Sequence, residues 1–127
     1  MILKGEKVVE NVFKVLGDQN RLRIINLLRK EALCVCEIEV ILDTTQSNVS
    51  RHLTRLRNEK IVIFEKKSQW TYYQIDPAFI KYNKLLYDYL IEKMETNDTF
   101  IRDQEKLSSY TKSDLTCDNI AEINKIK

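Results

Sequence analysis

Histidine occurs once in these 127 residues, proline once, glycine twice and cysteine three times. Each scarcity removes a class of chemistry. A single histidine, His52, leaves no His–carboxylate pair for acid–base catalysis. With only Gly5 and Gly17, no glycine-rich loop is available to cradle a phosphate. Cys34, Cys36 and Cys117 form no C-x-x-C motif and are too few for a disulfide framework, so free thiols in a cytoplasmic protein are expected. No apolar run approaches the ~20 residues that cross a bilayer. Residues 1–7 lack the apolar core and cleavage site of a signal peptide. The expectation is a protein with no membrane partner and no organic cofactor, and not an enzyme, the thiol oxidoreductase being the enzyme reading considered.

What is present is ordinary in bulk and uneven in detail. Apolar residues make up 43% and charged residues 31%, the balance of a globular domain. A chain of this length buries only a modest core, so dimerisation would add stability. The net charge of +2 conceals a block: residues 51–75 carry six Lys/Arg against two Asp/Glu, while the flanks are near neutral. Such a block suggests an anionic partner docking on one element.

Apolar spacing predicts a mainly α chain with one small β-hairpin. Val9, Val12, Phe13 and Leu16 fall at helical intervals over 6–16, Gly17 ends that helix, and Asp18 caps the next, with Leu22, Ile25 and Leu28 on one face. A short helix over 35–42 uses Val35, Ile38, Ile41 and Leu42. After the turn Asp43-Thr44-Thr45, a helix over about 46–59 carries a narrow apolar stripe of Val49, Leu53 and Leu56. Its other face shows Gln46, Ser47, Asn48, Ser50, Arg51, Thr54 and Arg55, the amides, hydroxyls and guanidinium groups that bond base edges and phosphates. This short helix, tight turn and helix form a helix-turn-helix pattern. Two β-branched and aromatic runs, 61–67 and 70–75, then read as a hairpin joined by Ser68-Gln69, although that turn lacks the glycine best suited to it. A basic hairpin after a recognition helix is a wing, with Lys66 and Lys67 placed for the phosphate backbone.

Asp76-Pro77 begins a further helix running to about Met94, its wide apolar face including Tyr82, Leu85, Leu86, Tyr89 and Leu90. With the first helix it is the candidate dimer interface. Residues 1–96 are therefore expected to form the DNA-binding and dimerisation domain. Residues 97–127 are expected to form a mobile or loosely docked polar tail, partly helical, with Thr116 capping a short helix over 117–126.

Several motifs occur in an order that carries a resemblance. Phe13-Lys14-Val15-Leu16-Gly17-Asp18 with Arg21-Leu22 and Ile24, the run from Gln46 to Leu56 containing Ser50-Arg51-His52-Leu53, and Tyr72-Tyr73 together resemble the arsenic-repressor (ArsR/SmtB) family. The likeness spans about residues 10–92. It implies a winged helix-turn-helix homodimer that represses transcription on double-stranded operator DNA and is released by a metal or metalloid ion. His52 then lies at the DNA face or supports it. Leu33-Cys34-Val35-Cys36-Glu37 falls where that family binds thiophilic inducers, arsenite and antimonite in one branch, cadmium, lead and zinc in another. The family's other zinc or nickel site is not expected, because residues 77–96 contain no histidine.

The paired thiols remain open to three readings: packing, a redox pair or a ligand pair. Cys34 and Cys36 are about 200° apart around a helix. Their sulfurs converge only if Cys34 lies at or before the helix start, or if the first turn unwinds. The second case suggests that ion binding distorts the helix propping the recognition helix. Where the arsenic pattern has a third cysteine, this chain has Glu39. Cys117 is then either a third ligand or a solvent-exposed spectator. Soft thiolates favour arsenite or antimonite as inducer, with cadmium or lead as the alternative.

Overall fold

The computed structural model describes residues 9–120. Three helices open the chain, α1 (Val9–Leu16), α2 (Gln19–Leu28) and α3 (Val35–Leu42), with the two-residue strand β1 (Leu33–Cys34) immediately before α3. Helix α4 (Gln46–Asn58) follows, then β2 (Val62–Lys67) and β3 (Trp70–Ile75). Three helices follow, α5 (Pro77–Tyr82), α6 (Lys84–Glu95) and α7 (Asp98–Lys112), and a further helical turn begins at residue 117. None of them is long and apolar enough to cross a membrane.

Local chemistry sets these boundaries. Asp18 takes hydrogen bonds from the Asn20 and Arg21 amides, capping α2. Thr45 caps α4 through the Asn48 amide, and Asp43 ends α3 in the left-handed region at φ 53°. The wing is antiparallel from Val62↔Ile75 to Lys67↔Trp70, so Ser68-Gln69 is the whole connection. Ser68 supplies the positive φ (59°) that a two-residue turn requires, without glycine.

The core sits where α2, α3 and α4 meet the base of the sheet. Ile24, Leu27, Ile38, Val49, Leu53 and Leu56 are all essentially inaccessible there. The structure departs from the sequence reading in four places. On α2 the buried apolar positions are Ile24, Ile25, Leu27 and Leu28, while Leu22 is only half-buried. A third strand, β1, joins the hairpin edge, giving the order β1-β3-β2. The helix expected over 76–94 is broken at Asn83 (φ −130°, ψ 41°) into α5 and α6. Finally, Asp98–Lys112 is no loose tail.

That last segment is a 15-residue helix packed on α2 and α3. Asn97 caps it through the Thr99 amide. Asp103, buried, takes Arg23 Nε at 2.7 Å and Nη2 at 3.0 Å, a two-pronged pair. Buried Asn26 donates to the Phe100 carbonyl, and Gln104 Nε2 donates back to the Asn26 carbonyl. Polar composition concealed the docking because the anchors are themselves polar. Only Phe100, Leu107 and Tyr110 of this helix join the apolar core.

Removing one partner of a buried ion pair leaves the other charge unsatisfied. Arg23→Ala should therefore destabilise the protein by about 3 kcal/mol in urea unfolding, the lower end of the usual range because Arg23 keeps some exposure. A loss below about 1 kcal/mol, the level of an exposed pair, would mean that Asp103 is not holding α7.

Candidate thiolate site and nucleic-acid interface

Cys34 is the last residue of β1 and the residue before α3, with extended backbone (φ −91°, ψ 169°). Its pairing opposite Tyr72 of β3 fixes that conformation. Cys36 lies within the first turn of α3. The change from strand to helix between them redirects one side chain, so the two sulfurs lie 3.1 Å apart while α3 remains intact. No unwinding is needed, and the helix-distortion route is not required for the sulfurs to meet.

Cys117 completes the cluster. It arrives on the turn that follows α7, where the Ile120 amide bonds the Thr116 carbonyl and the Asn119 amide bonds Thr116 Oγ1. The start of the expected 117–126 helix is thus present, and residues 121–127 lie outside the described residues. Cys117 is buried, at 1% exposure, which removes the solvent-exposed spectator reading. Its Sγ adjoins those of both Cys34 and Cys36, and the three sulfurs all lie within 4.8 Å of one another. One sulfur cannot hold two disulfide partners at once, and the arrangement is a cluster of three cysteine sulfurs. Among the described residues, no carboxylate belongs to it. A cleft bordered by Glu39, Gln46, Trp70 and Thr71 gives access from solvent.

A buried carboxylate supports the cluster from behind. Glu37 Oε1 accepts the Cys34 amide at 3.0 Å, and its other oxygen accepts the Tyr110 hydroxyl from α7. Burial and the adjoining Glu37 carboxylate push the Tyr110 hydroxyl well above the usual phenol range, so it stays protonated as the donor. Sequence reasoning named Glu37 only as part of the cysteine motif, without a role, and missed Tyr110. They are 73 residues apart, and no spacing signal joins them.

On α4, Gln46, Ser47, Asn48, Arg51, Thr54 and Arg55 are exposed and Ser50 is half-buried, along one face. Arg51 Nη2 bonds Asn48 Oδ1, and the Thr54 hydroxyl bonds the Ser50 carbonyl. Lys66 and Lys67 are exposed on the wing. Arg57 stacks over Phe64, 5.1 Å from the ring centre, adding a cation beside the wing. His52 is different. It is buried, with Nδ1 3.2 Å from Arg21 Nη1, so it braces α4 against α2 and does not face outward.

A family model described as "Bacterial regulatory protein, arsR family" matches residues 18–63. The arsenic resistance transcriptional regulator ArsR1 of Pseudomonas putida is 43% identical over 67 residues, which is 52% of each chain. The cadmium resistance transcriptional regulatory protein CadC of Listeria innocua is 38% identical over 79 residues, covering 61% of this chain and 62% of that one. The crystal structure of the transcriptional regulator HlyU from Vibrio vulnificus superimposes with a TM-score of 0.53 at 31% identity, covering 63% of this chain and 84% of that one. This chain belongs to the arsR family. It is a family of transcriptional regulators and not of enzymes, and the fold is its winged helix-turn-helix. The chain spans only about half the length of ArsR1.

Within this arsR-family chain, His52 links the stability of the α2–α4 packing to pH. Burial lowers its pKa from the ordinary 6.5; Asp18 opposes that shift, while Arg21, Arg51 and Arg55 reinforce it. A base whose folded pKa lies below its unfolded value is protonated first in the unfolded chain. Its stabilising contribution is therefore complete above about 6.5 and is lost as pH falls through that value towards the folded pKa. His52→Gln, which does not titrate, should lower the urea midpoint more at about pH 7.5 than at about pH 5.5. An equal difference at both would refute neutral burial of His52.

Proposed function

We propose that this protein is a homodimeric repressor that binds double-stranded operator DNA in the cytoplasm and is released when arsenite or antimonite binds Cys34, Cys36 and Cys117. The observation that carries the reading is the meeting of three cysteine sulfurs from β1, α3 and the segment after α7, with no carboxylate from the described residues among them. The arsenic regulators among its relatives support the same inducer. Gln46, Ser47, Asn48, Ser50, Arg51, Thr54 and Arg55 would read and clamp the duplex from α4, supported by His52, and Lys66 and Lys67 would hold its backbone from the wing.

Charge separates the candidate inducers. Arsenite is neutral As(OH)₃, and three thiols replace its three hydroxides to give neutral As(S-Cys)₃ and three waters. A divalent ion such as cadmium or lead bound by the same three thiolates leaves a net negative charge. Cys34 and Cys117 are both at or below 2% exposure, and the Glu37 carboxylate lies close behind. Burying an uncompensated charge there is unfavourable, which favours the trivalent metalloids. The cadmium or lead alternative retains the support of the CadC likeness.

Dimerisation has its own support. Val9 and Phe13 on α1, and Tyr82, Leu85 and Tyr89 on α5 and α6, are exposed, Leu85 by 88%. Such apolar side chains gathered on the first and last core helices suit a second copy.

A redox reading has one observation in its favour. The Cα atoms of Cys36 and Cys117 are 6.0 Å apart, within the disulfide range, whereas those of Cys34 and Cys117 are 7.2 Å apart, outside it. An oxidant such as hydrogen peroxide would join Cys36 to Cys117, the two thiols giving up their protons and electrons as peroxide becomes two waters.

Anisotropy of a labelled inverted-repeat duplex tests these readings. Arsenite or antimonite should release the wild type, and release should be lost in Cys34→Ser/Cys36→Ser and weakened at least tenfold in Cys117→Ser. Release by cadmium alone would transfer the site to the divalent branch, and release by peroxide alone would establish the switch. Lys66→Ala and Lys67→Ala should each weaken binding across all sequences and reduce the salt slope by about 1. Unchanged slopes would remove the wing from the interface.

A further inference from the structure

Two consecutive residues after α7 point in different directions. Cys117 turns inward to the thiol cluster. Asp118 turns outward, and its Oδ1 accepts Trp70 Nε1 at 2.7 Å and Gln69 Nε2 at 3.0 Å. Gln69 lies in the wing turn, and Trp70 is the cross-strand partner of Lys67. The wing is therefore held by the residue adjoining a candidate inducer ligand. It also reaches the cluster from the other side, since Tyr72 of β3 pairs with Cys34.

We propose that Asp118 is the positioning residue through which the state of Cys117 reaches the wing. The inference rests on the three-thiol site proposed above. With free thiols, the segment from Thr116 to Ile120 is held by the buried Cys117 and Ile120 side chains and by solvent-exposed hydrogen bonds. Few attachments of that kind place a segment at the low-stability end of a fold. The wing is then free to adjust to a phosphate backbone. Bonds from Cys117 to an inducer, or to Cys36, fix the segment. Asp118 then holds Gln69 and Trp70 in one position and keeps a carboxylate beside the strands that carry Lys66 and Lys67. Both effects oppose DNA. Because α3 is already intact with its sulfurs together, this relay needs no change in that helix.

The 127-residue chain carries its own probe, since Trp70 is its only tryptophan. Wild type, Asp118→Ala, Asp118→Asn and Trp70→Phe would be compared for DNA affinity with and without arsenite, and with and without hydrogen peroxide. Trp70 emission would be followed in the first three. Asp118→Ala should bind DNA as wild type does when the thiols are free, and should still bind arsenite by calorimetry. The ratio of DNA affinities without and with inducer should fall by about tenfold, a typical coupling between sites. Asp118→Asn retains the acceptor oxygen and should recover much of that ratio, while Trp70→Phe should behave as Asp118→Ala does. Inducer should shift Trp70 emission in wild type and Asp118→Asn but not in Asp118→Ala.

The outcomes are separable. If arsenite releases wild type and Asp118→Ala equally, the relay is wrong and the metalloid reading stands. If only peroxide releases wild type and Asp118→Ala blunts it, the relay stands and the metalloid reading falls. If neither input changes wild-type DNA affinity, both fall.

Discussion

The backbone hydrogen bonding of β1 to β3 determines what the paired thiols can do. On a continuous helix, residues 34 and 36 would point their sulfurs apart. Pairing opposite Tyr72 holds residue 34 extended, and the helix begins at residue 35. The sulfurs then meet without distorting anything. Glu37 reinforces the junction by accepting the Cys34 amide, which would otherwise be an unpaired donor at the helix start. The two sulfurs are thus brought together by backbone geometry alone.

The third thiol depends on a different set of forces. Cys117 is more than eighty residues from the other two and is delivered by α7. That helix is anchored by the Arg23–Asp103 pair, by hydrogen bonds in both directions between Asn26 and residues 100 and 104, and by Tyr110 on Glu37. Glu37 therefore serves two elements at once: one oxygen fixes the backbone of Cys34 and the other receives α7. A buried carboxylate so fully used is costly to leave half-paired, which ties the docking of α7 to the integrity of the thiol site.

Legibility in the sequence followed the length of each pattern. α3, α4 and the wing were readable because apolar period, cap residues and β-branched runs agree within each. β1 was not, since two residues carry no period, and its existence depends on a partner strand nearly forty positions away. The break at Asn83 was hidden because apolar positions continue in helical register across it. His52 was expected at the DNA face or supporting it; the structure buries it against Arg21, a partner that spacing could not name. α7 was the largest surprise for a physical reason. Hydrophobic patterning reveals helices that dock by apolar stripes, and this one docks substantially through buried polar pairs.

The proposed coupling between an inducer and the DNA face would require an element with two arrangements, and packing bears on which element offers them. α3 and α4 are sealed into the core by side chains with no accessible surface, so displacing either disrupts dense packing. The helix-distortion route would have to overcome that resistance with a coupling that is typically only ~1–3 kcal/mol. The segment from Thr116 to Ile120 offers far less resistance: two buried side chains and a few exposed hydrogen bonds hold it. Exposed hydrogen bonds contribute about 1 kcal/mol or less each, the same scale as the coupling itself. Energetic scale therefore favours a signal that leaves the thiols through the chain that brings Cys117, because there an inducer of modest differential affinity suffices to change the balance.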